Sequence, residues 1–294
     1  YKLFSIFTMI IWLASYPKSG NTWIRSMLSA YLFSPKGQFE FNLLKNISQF
    51  SINVKKLEKQ VYKNSQEKIY KNWIPSQKEI NQDGKFHILK THNALCNING
   101  YNFTNKDNTT GAIYIVRDPR NLILSISHHY SLSMEEAYGF LTNKRKIIFP
   151  SQSDKEKKNI NEKEDFNFLG DWATHYQSWK NIKFAPILII KYEDIIINEH
   201  KVFLSILNFL SKFIKITLDT EKIENVLTTT TFNNLSKMED QDGFDEAIIS
   251  ETTKKKVKFF NLGKKNDWKN LLHPKMEKKI TTTFHKDMKD LGYI

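Results

Sequence analysis

Four short apolar runs, Ile10 to Ser15, Ile88 to Thr91, Ala112 to Val116 and Ile187 to Lys191, lack polar alternation and are bounded by turn-forming residues. A strand with one buried face alternates; a run without alternation is buried on both faces, as in a parallel sheet covered by helices. Between the runs lie segments with helical spacing of apolar residues: Thr22 to Phe33, Asn121 to Tyr130, Leu169 to Lys180 and His200 to Phe213. In the last, Val202, Phe203, Ile206, Leu207 and Leu210 share one face. Strand alternating with helix predicts a three-layer α/β fold, a central and mainly parallel sheet flanked by helices. Met276, Ile280, Phe284, Met288 and Leu291 keep the three-to-four spacing and predict one closing amphipathic helix over Pro274 to Leu291. Gln38 to Gly84 holds Phe39, Phe41, Phe50, Trp73 and Ile80 without a sustained period, which predicts irregular or short helical structure over one side of the sheet. The polar stretch from Phe149 to Asp165 predicts a mobile surface loop, and no repeat or linker divides the 294 residues, so one domain is expected.

Composition supports a globule, with 40% apolar and 13% aromatic residues, Phe 21 and Trp 6 among them. Charge changes the picture. A net charge of +13 attracts anions, whether nucleic acid, an acidic membrane surface or a phosphorylated small ligand. Lys, Asn and Ile recur throughout, so Lys254 to Lys258 and the group Lys55, Lys56 and Lys59 read as solvated faces. Cys96 is the only cysteine, which excludes a disulfide-built scaffold and fits the cytoplasm. The apolar run Leu3 to Ala14 is too short to span a bilayer and leads into a polar turn, so it reads as a buried strand. Met9 stands just before that strand, and Tyr1 to Thr8 is expected to lie upstream of the natural fold. The Asn108, Thr109, Thr110 sequon is what an Asn-rich chain produces by chance.

The segment SYPKSGNTWIRSML carries the first chemistry: a strand ending at Ser15, a tight turn through Pro17 to Gly20, and a helix starting near Thr22. Converging backbone N–H groups and the positive end of a helix dipole bind phosphate there. Gly20 allows close backbone approach; Ser19, Asn21 and Thr22 supply donors; Lys18 supplies a point charge and Trp23 a flat apolar face. The order differs from GxxxxGK with Ser or Thr, because Lys18 precedes the glycine. Such a loop suits one 5′-phosphate and requires no metal.

In AIYIVRDPRNLILSISHHY the plan repeats, with Arg117 at a strand's carboxyl end and Ser125 eight residues on, two turns along a helix. Lys18, Ser19, Gly20, Thr22 and Trp23 followed by Arg117 and Ser125 resemble the 5′-phosphosulfate and 3′-phosphate motifs of the sulfotransferases that use 3′-phosphoadenosine 5′-phosphosulfate (PAPS). Further matches cover most of the chain. LKTH at Leu89 to His92 resembles the family segment bearing the catalytic His, and FLGDWATHYQSWK is similar to the family helix with Gly, Trp, His and Trp. The resemblance implies that Tyr192 of KYED contacts the adenine and that Thr230 and Phe232 lie beside the purine. It implies a role at the 3′-phosphate for the segment around Gly263, but the family's Arg and Lys before that glycine are replaced by Asn261 and Leu262. Lys264 and Lys265 follow and are the expected replacements. The family's dimerisation pattern is not recognisable near Asp219 to Leu227, so no oligomeric state is expected from it.

The resemblance implies a soluble, cytoplasmic enzyme of the P-loop-like nucleotide fold. It would move a sulfuryl group from PAPS to an acceptor hydroxyl or amine and release 3′-phosphoadenosine 5′-phosphate (PAP), with no metal. Transfer needs a base and positive groups on the leaving side. His92 is the expected base, Lys18 the group on the bridging oxygen, and Lys90 a holder of the sulfuryl group. His175, with Trp172 and Trp179 at i−3 and i+4, reads as core. Acceptor selection is expected from Gln38 to Gly84 and Ser131 to Asp165, and the acceptor is a small molecule, glycan or lipid. Two other classes fit parts of the pattern: a nucleotide-kinase-like phosphoryl transferase, and a non-catalytic binder of polyanions. The chain lacks a GxxxxGK loop and any recognisable nucleic-acid reader, so no nucleic-acid partner is expected.

Overall fold

The four non-alternating runs are the four strands of one parallel sheet, as seen in a computed structural model that describes residues 10–52, 65–149, 166–250 and 253–294. Tyr1 to Thr8, the Lys55, Lys56 and Lys59 group, and residues 150–165 of the expected loop lie outside the described residues. In chain order the strands are β1 Ile10–Ser15, β2 His87–Thr91, β3 Asn97–Ile98, β4 Tyr101–Asn102, β5 Thr109–Val116, β6 Ile147–Ile148, β7 Asn167–Phe168 and β8 Ile187–Lys191. The main sheet runs β2-β1-β5-β8, while β3 with β4 and β6 with β7 form small antiparallel ladders. Leaving β1, the chain pairs first on one side with β2 and then on the other with β5. Such a reversal opens a crevice at the carboxyl ends of the strands. Register places Leu13 beside Lys90 and Ile113, and Ser15 beside Ile115, so β1, β2 and β5 end at one edge.

Both faces of the sheet are dry. Trp12, Ala14, Tyr114 and Val116 face one cluster with Phe103, Trp172, Trp179 and Ile280; Ile11, Leu13, Ile113 and Ile115 face another with Ile24, Met27, Phe203 and Leu207. That is the physical reason for the missing polar alternation: each residue of β1 is buried, whichever way it points. Each fully buried large apolar side chain contributes about 1.5–3 kcal/mol. Within one layer the polar tip of Trp12 is paired, its Nε1 donating to Thr109 Oγ1 at 2.9 Å.

Helix boundaries moved where caps and turns dictate. The helix expected from Asn121 starts at Pro119, because Asp118 accepts from the Arg120 N–H and a proline suits the first helical position. The helix expected from Leu169 starts at Trp172: Gly170 is left-handed, Asp171 caps the Thr174 N–H, and Asn167–Phe168 is extended. The segment His200 to Phe213 is a helix over Glu199–Leu210, capped by Asn198. The single closing helix is corrected to two, Pro274–Thr283 and His285–Asp290. Three successive β-branched threonines weaken the helix before Phe284, whose buried ring packs on Trp172 with centroids 5.1 Å apart. Within 38–84 short helices do occur, Ser65–Lys71 and Trp73–Asn81, with a 3₁₀ turn at Phe41–Asn46. Helices Met134–Thr142, Tyr192–Ile197, Thr220–Thr229 and Phe232–Asp242 were not anticipated.

Candidate active site

After β1 the chain turns through 16–20 into the helix Asn21–Phe33. Lys18 (φ 65°) and Gly20 (φ 99°) are both left-handed. For Lys18 that conformation costs about 1–2 kcal/mol. The Arg117 Nη1 donates to its carbonyl at 2.9 Å and holds it in place. At Gly20 no side chain fits, since a Cβ would lie 2.5 Å from Cδ2 of Tyr192. The Asn21 amide donates to the Leu13 carbonyl at 3.0 Å and to Ser15 Oγ at 3.2 Å, tying the helix to the strand end. No side chain caps this helix; the Trp23 and Ile24 N–H groups bond to the Gly20 carbonyl, which leaves those of Asn21 and Thr22 for an anion.

Lys18 lies with Nζ 3.3 Å from the centroid of the Phe259 ring. Burial pulls its ammonium down to about 7; Glu246 opposes the fall and Arg117 adds to it. Arg117, buried at the end of β5, stacks its guanidinium on Tyr192 at 4.1 Å. Arg117 Nε, Ser19 Oγ and Trp23 Nε1 are buried without a hydrogen-bond partner among the described residues. Unsatisfied buried donors are costly. Arg117 and Trp23 line the cavity beside the turn, where an acceptor-rich ligand such as a nucleotide phosphate would satisfy them.

His92 follows β2. Its Nδ1 lies 2.8 Å from the Ser15 carbonyl, and a carbonyl only accepts, so Nδ1 carries the proton and Nε2 the lone pair. Burial first, then the Lys90 charge, pulls the imidazole down to about 3, with the Ser15 hydrogen bond opposing. The ring is therefore neutral near pH 7. The backbone around it is pinned: His175 Nε2 donates to the His92 carbonyl at 3.0 Å and accepts at Nδ1 from the Tyr114 hydroxyl at 2.8 Å. Trp179 Nε1 donates to the Asn93 carbonyl at 2.9 Å. The expected core histidine thus has a specific duty beneath His92.

One cavity at the carboxyl edge of the sheet is lined by Lys18, Gly20, Asn21, Thr22, Trp23, Lys90, His92, Arg117, Ser125, Tyr192, Phe232 and Gly263. Ser19 lies beneath the turn rather than on the cavity wall. Two further expected residues are not brought there. Thr230 is fully buried and donates its hydroxyl to the Val226 carbonyl at 2.8 Å. Lys264 is exposed, and its charge acts on Glu199 instead. Lys265 is exposed too, whereas Asn261 and Leu262 themselves line the wall. The cations expected to replace the missing pair therefore stand outside the cavity. Gly263 is required by contact, since a Cβ would sit 2.6 Å from Cδ1 of Phe232.

From the segments expected to select the acceptor, Gln49, Ile148 and Phe149 reach the wall. Sequence reasoning missed Glu246 and His129. Glu246 is the one acidic lining residue among those described. His129 is buried, with Nδ1 unpartnered among the described residues, and burial first and Lys18 second keep it well below the usual imidazole range. Its neighbour His128 instead donates to the Lys258 carbonyl at 2.9 Å, a difference that adjacent identical residues do not disclose. No group of three or more candidate metal ligands occurs among the described residues. No helix among them is long and apolar enough to cross a membrane.

Comparison with known proteins adds a family to this geometry. The mouse sulfotransferase SULT7A1, solved in complex with PAP, has the same fold, with a TM-score of 0.56 at 19% identity over 98% of this chain and 86% of that one. An amine sulfotransferase of Oryctolagus cuniculus is 21% identical over 287 residues, which is 95% of this chain and 81% of that protein. The family model described as the sulfotransferase domain matches residues 10–292, nearly the whole chain. That match displaces the nucleotide-kinase alternative, and the chain belongs to the sulfotransferase domain family.

Proposed function

We propose that the chain transfers the sulfuryl group of PAPS to a hydroxyl or amine of a small acceptor, with His92 as base. The observation that carries the reading is the His92 tautomer: Nδ1 is committed to the Ser15 carbonyl, so Nε2 is left to accept a proton in the cavity that also holds Lys18 and Lys90. The acceptor oxygen or nitrogen attacks sulfur and gives its proton to Nε2. The bond from sulfur to the bridging oxygen breaks, and its electron pair leaves on the 5′-phosphate of PAP. Lys18 stabilises that oxygen as charge gathers there, and Lys90 holds the sulfuryl oxygens. Thr22 and the uncapped helix start would hold the 5′ end, Tyr192, Trp23 and Phe232 the purine, and Arg117 with Ser125 the 3′-phosphate. The single cysteine, Cys96, supports a cytoplasmic setting for this chemistry.

The test is a mass-detected screen with PAPS against phenols, aliphatic alcohols, sugars and amines. Transfer with stoichiometric PAP release is expected; no PAP binding and no transfer to any class would overturn the reading. Arg117→Ala is expected to weaken PAP about ten- to a hundredfold, as loss of a charged hydrogen-bond partner does. AMP, which lacks the 3′-phosphate, should lose much less. Equal losses by calorimetry would remove Arg117 from the 3′ site and leave it its bond to Lys18 and its stack on Tyr192.

A further inference from the structure

The carboxylate of Glu246, its side chain about one-fifth exposed, lies against the residues assigned above to the phosphosulfate end of the donor. Its Oε2 accepts from Thr22 Oγ1 at 3.0 Å and from Lys90 Nζ at 3.0 Å, while Oε1 pairs with Arg25. Thr22 stands in the first turn of the uncapped helix, and Arg25 follows one turn later on the same face. A helix start, a hydroxyl and two cations form the surroundings that bind phosphate or sulfate oxygens. The chain's own carboxylate takes that position. Burial would raise the Glu246 carboxyl, but Lys90 and Arg25 outweigh it and hold the group well below the usual carboxylate range. It is therefore an anion at neutral pH.

We infer that Glu246 is a tethered anion that holds the 5′ end of the donor site in the donor-free protein, so that a donor must displace its carboxylate from Thr22 and Lys90. This rests on the assignment of the turn to the donor's 5′ end. Two anions cannot share Lys90 and Thr22 without strong repulsion, and a tethered group competes at an effective concentration on the order of millimolar. Inorganic sulfate or phosphate, which reaches only this end, is then excluded. A nucleotide held also at its 3′-phosphate and purine has the additional binding needed to displace the carboxylate. Glu246 thereby selects for the complete donor over its fragments.

The experiment compares Glu246→Gln with the parent protein by calorimetry, using PAP, adenosine 3′-monophosphate and inorganic phosphate. PAP is expected to bind about tenfold or more tightly to the variant, adenosine 3′-monophosphate to change less than about twofold, and inorganic phosphate to become a measurable competitor of PAP. Unchanged or weaker PAP binding would overturn the inference. So would equal gains for PAP and adenosine 3′-monophosphate, which mark a general charge effect. Because Glu246→Gln leaves Arg25 and Lys90 without their anion, Glu246→Asp provides a second variant: it keeps the charge, shortens the reach, and should also tighten PAP without tightening the 3′-monophosphate. Failure of PAP to bind the parent protein would defeat the donor assignment itself; normal parent binding with no gain in either variant would defeat only the role of Glu246.

Discussion

Replacing His92 by alanine is expected to lower kcat by about 10²–10⁴-fold, the range for a positioned general base, while PAP binds within a few-fold of its original affinity. The substitution removes the nitrogen proposed to take the acceptor proton. It leaves Lys18, Arg117 and the turn intact, since the strand end is also held by Asn21 on Leu13 and Ser15. Near-normal turnover in a PAP-release assay would exclude His92 from the chemistry. The pH dependence carries a further signature. In the donor-free protein burial and Lys90 depress the imidazole to about 3, so it is unprotonated well below the ordinary value near 6.5. A bound phosphosulfate places two negative groups near Lys90 where the displaced Glu246 carboxylate supplied one, and so raises the imidazole again. The acid limb of kcat, which reports the complex, should therefore lie at higher pH than the acid limb of kcat/KM for PAPS.

Lys18→Ala is expected to cost about 10²–10³-fold in kcat and to weaken PAP, because in the proposed mechanism its ammonium stabilises charge that develops on the leaving oxygen. Proton linkage separates this role from a merely structural one. The free-protein Lys18 is pulled by burial to about 7 and is thus largely neutral at pH 8. Donor anion favours the ammonium and raises that value, so binding between pH 7 and 8 takes up protons, and PAP affinity falls as pH rises through this window. Calorimetry of PAP binding in two buffers of different ionisation enthalpy should detect the uptake and find it abolished in Lys18→Ala. Uptake that persists in the variant would place the titrating group elsewhere.

The turn and its flanking elements were legible because their determinants are local. Absence of polar alternation in β1 follows from burial on both faces, and the demand for glycine at position 20 follows from a positive φ, although the ring that closes over it belongs to Tyr192. Arg117 was legible from its place at a strand end. The segment around Gly263, proposed to lie on the 3′-phosphate side, was less so. Lys264 stands next to Gly263, yet the left-handed 3₁₀ start that packs Gly263 on Phe232 leaves Lys264 in solvent. The closing helix kept its apolar stripe but broke at Phe284, since side-chain spacing records which face is buried and not whether the backbone stays continuous through three threonines.

By itself, then, the sequence determined the alternation of strands and helices and the turn at 16–20 through short-range periodicity and turn chemistry, while His92 and Lys90 stood out through the family resemblance of LKTH. Tertiary structure alone decided which proton His92 carries, through the Ser15 carbonyl 77 residues away. It also brought Glu246 onto Thr22 across 224 residues of chain. The first pairing depends on which strand ends finish together at the sheet edge and the second on a distant loop folding back over the helix start, and no local window contains either.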